Sequence, residues 1–145
     1  MKIEYKKINN KLLETIAVEF DSDWITKFSN FDNETYGLVA INEDIPIGYI
    51  IVTPRILTYP LEHITDAYIE IIEVMDEYRR QGIGQTLVTR SEEWAKKMGF
   101  RQIRTHSNDK AADAIKMWHK LNYGLCPHDY YTEEGCVGYW VAKVL

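Results

Sequence analysis

Cysteine is scarce in this chain. Of 145 residues, Cys126 and Cys136 are the only thiols, and no pair has the Cys-x-x-Cys spacing of a metal site. That argues against a disulfide-stapled secreted fold and for two unreactive thiols in a reducing compartment. No apolar run approaches the roughly 20 residues of a membrane span. The opening residues, Met-Lys-Ile-Glu-Tyr-Lys-Lys, lack the apolar core of a secretory signal, so a cytoplasmic protein is expected. Positive charge is in deficit: 17 Lys and Arg stand against 22 Asp and Glu, a formal net charge of −5. Neither nucleic acid nor an anionic membrane surface is a favoured partner for such a chain. Repeats, low-complexity tracts and linkers are missing too. The remaining picture is a single domain, 1–145, whose 46% hydrophobic content fits one packed core.

With charge so disposed, an anionic ligand needs local positive charge, and one stretch supplies it. Residues 67–75 are rich in isoleucine and aromatics and hold no glycine or proline, which suits a buried strand. Residues 76–78 make a turn, and Arg79-Arg80-Gln81-Gly82-Ile83-Gly84 opens a helix. Gly82 and Gly84 lack a Cβ, so the backbone can take unusual angles and a ligand can come close. Free N–H groups of the first helical turn, the helix dipole and two arginines together suit a phosphate or pyrophosphate.

Taken with its strand-loop-helix setting, the run Val74-x-x-Glu77-Tyr78-Arg79-Arg80-Gln81-Gly82-Ile83-Gly84 resembles the central signature of the GNAT N-acetyltransferases, Arg/Gln-x-x-Gly-x-Gly/Ala. The resemblance is specific over about 67–123; before residue 36 it rests on element order alone. It implies a single-domain α/β fold with a mixed, mostly antiparallel sheet, helices on both faces and a splayed central strand pair. It also implies transfer of an acetyl group from acetyl-CoA to a primary amine of a small molecule or peptide, by direct attack on the thioester. No metal is implied, and homodimers are common in the family. The alternative is a non-catalytic acyl-CoA-binding sensor or interaction module. A dinucleotide enzyme is excluded by the residues, since Gly82-x-Gly84-x-x-Leu87 lacks the third glycine.

The order of elements agrees. Residues 2–8 suggest a strand. Asn9 or Asn10 caps a helix over 11–20, with Leu12, Leu13, Ile16 and Phe20 on one face. Asp21 or Ser22 caps a short helix over 23–28. Two strands, 36–42 and 47–56, are joined by Glu43-Asp44-Ile45-Pro46, and Pro54 marks an edge, a bulge or the end of the second. A helix over 82–98 carries Ile83, Leu87, Val88, Trp94, Ala95 and Met98 on one stripe and ends at Gly99. A strand over 100–107 follows. Asn108 or Asp109 caps a last helix that ends at 122–124, and a final strand follows a loop at 129–135.

The resemblance assigns roles residue by residue. The backbone from Arg79 through Gln81, Gly82, Ile83, Gly84, Gln85 and Thr86 would hold the pyrophosphate. Pantetheine would lie between the splayed strands, bonded to Val74, whose N–H is the candidate oxyanion donor. Asn108 matches the asparagine that opens the family's second cofactor segment. Glu70 is the expected general base, with Tyr68 and Glu73 as alternatives. Regular strand alternation puts Glu70, Ile72 and Val74 on one face and Ile69, Ile71 and Glu73 on the other, unless a bulge near Val74 reverses the parity. The family's tyrosine that protonates the leaving thiolate falls at Trp118, whose indole is no acid. Trp118 is therefore expected as a wall of the cofactor groove. Tyr123, Tyr130 and Tyr131 are the substitutes as acid, unless the thiolate leaves unassisted. The four histidines, at 63, 106, 119 and 128, have no spaced partners and read as structural or solvated. Acidic residues near 21–34 lean toward a cationic acceptor.

Overall fold

The structure, a computed structural model, describes residues 1–31, 33–128 and 136–145. Its elements in order are β1 (Glu4–Lys7), α1 (Asn10–Glu19), a 3-10 turn (Asp23–Lys27), β2 (Tyr36–Asn42), β3 (Ile45–Ile56) and β4 (Thr65–Val74). A second 3-10 turn (Asp76–Tyr78), α2 (Ile83–Lys97), β5 (Gln102–Asn108), α3 (Ala112–Lys120), β6 (Gly124–His128) and β7 (Gly138–Val144) follow. The strands form one sheet in the order β1-β2-β3-β4-β5-β7-β6. Neighbours run antiparallel except β4 and β5, which are parallel.

Apolar periodicity explains the layers. On one face, Leu13, Ile16 and Ala17 of α1, with Ile25, pack on Val39, Ile41, Tyr49 and Ile51. On the other, Ile83, Leu87, Val88 and Ala95 of α2 and Trp118 of α3 pack on Leu38, Ile50, Val52, Ile69 and Ile103. The Asn9 side chain accepts from Leu12 N at 2.8 Å and starts α1. Gly99, at φ 87°, follows the end of α2 in the left-handed conformation that glycine tolerates.

Several expectations shift. Glu43 and Asp44 both have positive φ, 48° and 66°, which makes a tight two-residue hairpin. β3 therefore starts at Ile45 and takes in Pro46. Pro54 lies where β3 outruns β2, whose last pair is Tyr36 with Val52, so its missing N–H costs no bond on that side. Met98 is 50% exposed and leaves the apolar stripe; Ser91 is buried there instead, its hydroxyl donating to Leu87 O. β6 was not expected, because Gly-Leu-Cys-Pro-His has little strand propensity. It forms as an edge strand that, among the described residues, pairs only with β7, where Pro127 is tolerated. Neither Asn108 nor Asp109 caps α3: its N-cap is Ala111, which makes no side-chain bond.

Two irregularities in β4 matter for function. Ile51 pairs with Ile71 but Val52 pairs with Ile69, so Glu70 is an extra residue, a bulge. And β4 pairs with β5 only at Ala67–Ile103 and Tyr68–Arg104. Beyond that point the two strands part.

Candidate active site

The parting of β4 from β5 is closed at one end by side chains. Thr105 Oγ1 donates to Ile69 O at 2.9 Å. Asp66, 1% exposed, receives Gln102 Nε2 at 2.5 Å and lies 3.0 Å from Arg104 Nε. Arg104 is off the hydrogen-bonding direction there, and Asp66 Oδ1 has no bond among the described residues. The pair therefore attracts by charge more than by directed bonding. At the other end, Met75 N–H donates to Ile47 O. Alternation then turns the N–H and C=O of Val74 away from β3, toward the gap. Arg79 Nε occupies the carbonyl at 3.2 Å.

The glycine loop follows directly. Gly82 is the N-cap of α2 with φ 80° and ψ 5°, a conformation costly for residues with a Cβ, and no side chain caps the helix. The helix's first bond into the cap is Thr86 N to Gly82 O. The N–H groups of Ile83, Gly84 and Gln85 are thus without helical partners. A Cβ at Gly84 would stand 3.0 Å from Met117 Sδ, and one at Gly82 would meet nothing within 4 Å. The loop therefore offers open main chain at Gly82 and a tight approach of α3 at Gly84. Ile83 is core, 2% exposed, so only its backbone is available. Arg80 has a left-handed φ of 62°, an exposed side chain and a long 3.6 Å contact to Asp113. Arg79 is held 2.9 Å from Asp76. Thr86 Oγ1 donates back to Gly82 O. An open depression of about 870 Å³ runs from the loop along α2, lined by Gln81, Gly82, Gln85, Thr86, Thr89, Arg90 and Glu93. Asn108 ends β5, where its Oδ1 accepts from Lys110 N at 3.0 Å.

The bulge corrects the expected parity. Ile72 and Val74 pack with the α2 core, whereas Ile71 packs on the α1 side. Glu73 also faces the α1 side, its Oε2 accepting from Tyr49 Oη at 2.9 Å. Glu70 does not share a face with Ile72 and Val74. Its carboxylate, 11% exposed, takes Arg55 Nε at 2.9 Å and Nη2 at 2.6 Å, a two-pronged pair, and Thr53 Oγ1 at 2.6 Å. The carboxylate expected as general base at 70 is thus engaged by Arg55 and Thr53.

Trp118 is 2% exposed and packs on Tyr123, ring centres 4.9 Å apart. It belongs to the core cluster beneath α3, deeper than helical spacing alone indicates. Tyr123 is 4% exposed, its hydroxyl donates to Glu92 at 3.1 Å, and burial, then Glu92, push its pKa far up. It is no acid for a leaving group. Tyr130 and Tyr131 lie outside the described residues. Tyr68 is sandwiched by cations, with Arg55 Cζ at 3.9 Å and Arg104 Cζ at 5.2 Å from its ring centre. Burial, the largest influence, raises its pKa. The sequence reading missed the pairing of His106 with His128, Nε2 to Nε2 at 2.8 Å. Gly138 lies in register with His128, so no side chain of β7 stands between them. Among the described residues no group of three metal-ligating side chains occurs.

β4 and β5 thus part beside the glycine-capped N-terminus of α2. The acetyltransferase (GNAT) family model matches residues 5–123. The chain belongs to the GNAT acetyltransferase family. Solved structures share the fold. Arabidopsis thaliana NAA60 in complex with acetyl-CoA superposes with a TM-score of 0.77 at 17% identity, over 99% of each chain. PaiA N-acetyltransferase from Thermoplasma acidophilum, in complex with coenzyme A, gives 0.74 at 17% over 100% of each. The ribosomal-protein-S18-alanine N-acetyltransferase from Escherichia coli gives 0.76 at 13%, over 99% of this chain and 94% of that one. At these identities the likeness is one of fold. No curated protein matches the sequence.

Proposed function

We propose that the protein transfers an acetyl group from acetyl-CoA to a primary amine of a peptide or small molecule. The observation that carries this reading is the opening between β4 and β5, which leads to the uncapped N-terminus of α2. Acetyl-CoA supplies an activated acyl carbon, and the chain's own groups do the rest. Main-chain N–H groups of the loop from Gln81 through Gln85 receive the pyrophosphate, with Thr86 beside them closing the first helical turn, and Gly82 and Gly84 keep that approach open. Arg79 and Arg80 add positive charge, and Gln81 and Gln85 line its outer edge. Asn108 braces the second wall through its turn. The N–H of Val74, aimed into the gap, steadies the oxyanion of the tetrahedral adduct. Glu70, locked to Arg55, is a positioning residue that shapes the acceptor side. Trp118 supports α3 from within. The similar structures with acetyl-CoA or coenzyme A bound, and one relative named for an alanine acceptor, support the reading. The two free thiols suit a cytoplasmic setting.

The test is direct. Protein, acetyl-CoA and a panel of amines are mixed, and free thiol is followed while products are read by mass. An acetylated amine with matching thiol release is expected. Calorimetry showing no binding of acetyl-CoA would refute the reading.

A further inference from the structure

Resting on that reading, we infer that Glu73, held by Tyr49, is the residue that receives the acceptor's ammonium and takes its proton. Three observations lead there. First, the bulge at Glu70 turns Glu73 onto the face covered by α1 and the 3-10 turn after it, one residue before Val74, whose N–H looks into the gap. Second, the two acids of this stretch are differently engaged. Glu70 has three donors, two of them from the Arg55 guanidinium. Glu73 has one neutral donor, the Tyr49 hydroxyl, and among the described residues no cation pairs with it. Third, its surroundings are built. Tyr49 is fully buried and packs edge-on against Phe20 at 4.8 Å. Burial, then Glu73, drive its pKa up, so it stays a donor.

A half-buried carboxylate with one oxygen fixed and the other without a bond among the described residues is a seat for one more donor. A primary ammonium has three. The step balances as follows. The ammonium gives one proton to Glu73 and becomes a free amine. The nitrogen lone pair forms a bond to the thioester carbonyl carbon, and the carbonyl electrons move to oxygen. The adduct collapses as the C–S bond breaks, and the thiolate takes the second proton from nitrogen. Glu73 returns its proton to solvent. The site thus selects an aliphatic ammonium, one that arrives charged. The titratable group bonded to Glu73 is Tyr49 from β3; Ser22, at the start of the first 3-10 turn, lies near Tyr49, and the Arg55–Glu70 pair lies farther along β4.

The experiment compares wild type, Glu73→Gln and Tyr49→Phe with acetyl-CoA, spermidine and a set of peptides bearing free amino ends and lysines. At about pH 7, Glu73→Gln should lose at least about 100-fold in kcat, as for a missing general base. Its rate should then climb about tenfold per pH unit up to the amine's own pKa, about 8 for an α-amino group or about 10.4 for a lysine. Tyr49→Phe should lose less, and calorimetry should show acetyl-CoA affinity retained in both variants. Wild-type turnover that Glu73→Gln keeps within about threefold, or a deficit constant with pH, overturns the inference and leaves the acetyltransferase reading standing. A wild type that binds acetyl-CoA but acetylates no amine takes down both.

Discussion

The closed end of the strand gap makes the sharpest stability prediction. Asp66→Asn removes a charge that is 1% exposed and that faces Arg104, whose side chain is 17% exposed. It also sets a new amide N–H₂ among two donors already present, Gln102 and Arg104. Breaking a buried pair costs about 3–5 kcal/mol, because the surviving charge stays buried. Arg104 keeps some water and two aromatic faces, Tyr68 and Trp140, so the lower end, about 3 kcal/mol, applies. For 145 residues, an unfolding entropy of about 2.1 cal/mol/K per residue gives about 0.3 kcal/mol/K, hence a Tm drop of about 10 °C. Calorimetric melting at neutral pH measures it, with urea midpoints as a second probe. The Arg55→Ala variant is the comparison: its side chain is 48% exposed, so screening should limit its loss to about 1 kcal/mol. If Asp66→Asn melts within about 2 °C of wild type, the pair does not hold the strands together and the reasoning fails.

Other perturbations address the loop and the histidines. Gly82→Val should raise the Kd for acetyl-CoA by more than about 100-fold, since several charge-assisted N–H bonds of about 1.5–3 kcal/mol each depend on that backbone; unchanged affinity by calorimetry would count against the assignment. Glu70→Gln should raise the acceptor KM more than it lowers kcat, as for a positioning residue; the reverse pattern in steady-state kinetics would make it the base. His106 has its pKa lowered, first by burial and then by His128. Its unfolded value of about 6.5 is therefore the higher one, and its stabilising contribution is present above that pH and lost as pH falls through the folded pKa. His106→Gln should accordingly flatten the decline of Tm between about pH 7 and 5; an equal decline in both proteins would contradict this.

Much of the fold was legible because it rests on local rules. Asn9 caps α1 and Gly99 follows the end of α2, as their residue types suggest. The strand-glycine-helix run was readable because an apolar, glycine-free strand and the left-handed Gly82 before α2 follow local rules. What stayed hidden depends on partners distant in sequence. Glu70 meets Arg55 only because β3 pairs with β4. His106 and His128 meet across β7, from residues that look isolated along the chain. Asp66, an ordinary strand-edge acid on paper, is buried against Gln102 and Arg104 from β5. Edge strand β6 escaped because its glycine and proline mask a pairing that β7 imposes.

The extra residue in β4 has an implication for transferring roles between relatives. Ile69 packs with the α2 core and Ile71 on the α1 side, so deleting the extra residue would leave Ile71 to Val74 facing as they do, whereas a regular strand of unchanged length would turn the acid at 70 to the α2 face. Glu70 would then leave Thr53 and Arg55, while Glu73 kept its place beneath α1. Distance from the glycine motif, counted in residues, therefore specifies a location along the chain but not a direction in space; two homologues with identical acids at identical spacings could present opposite chemistries to the same incoming amine.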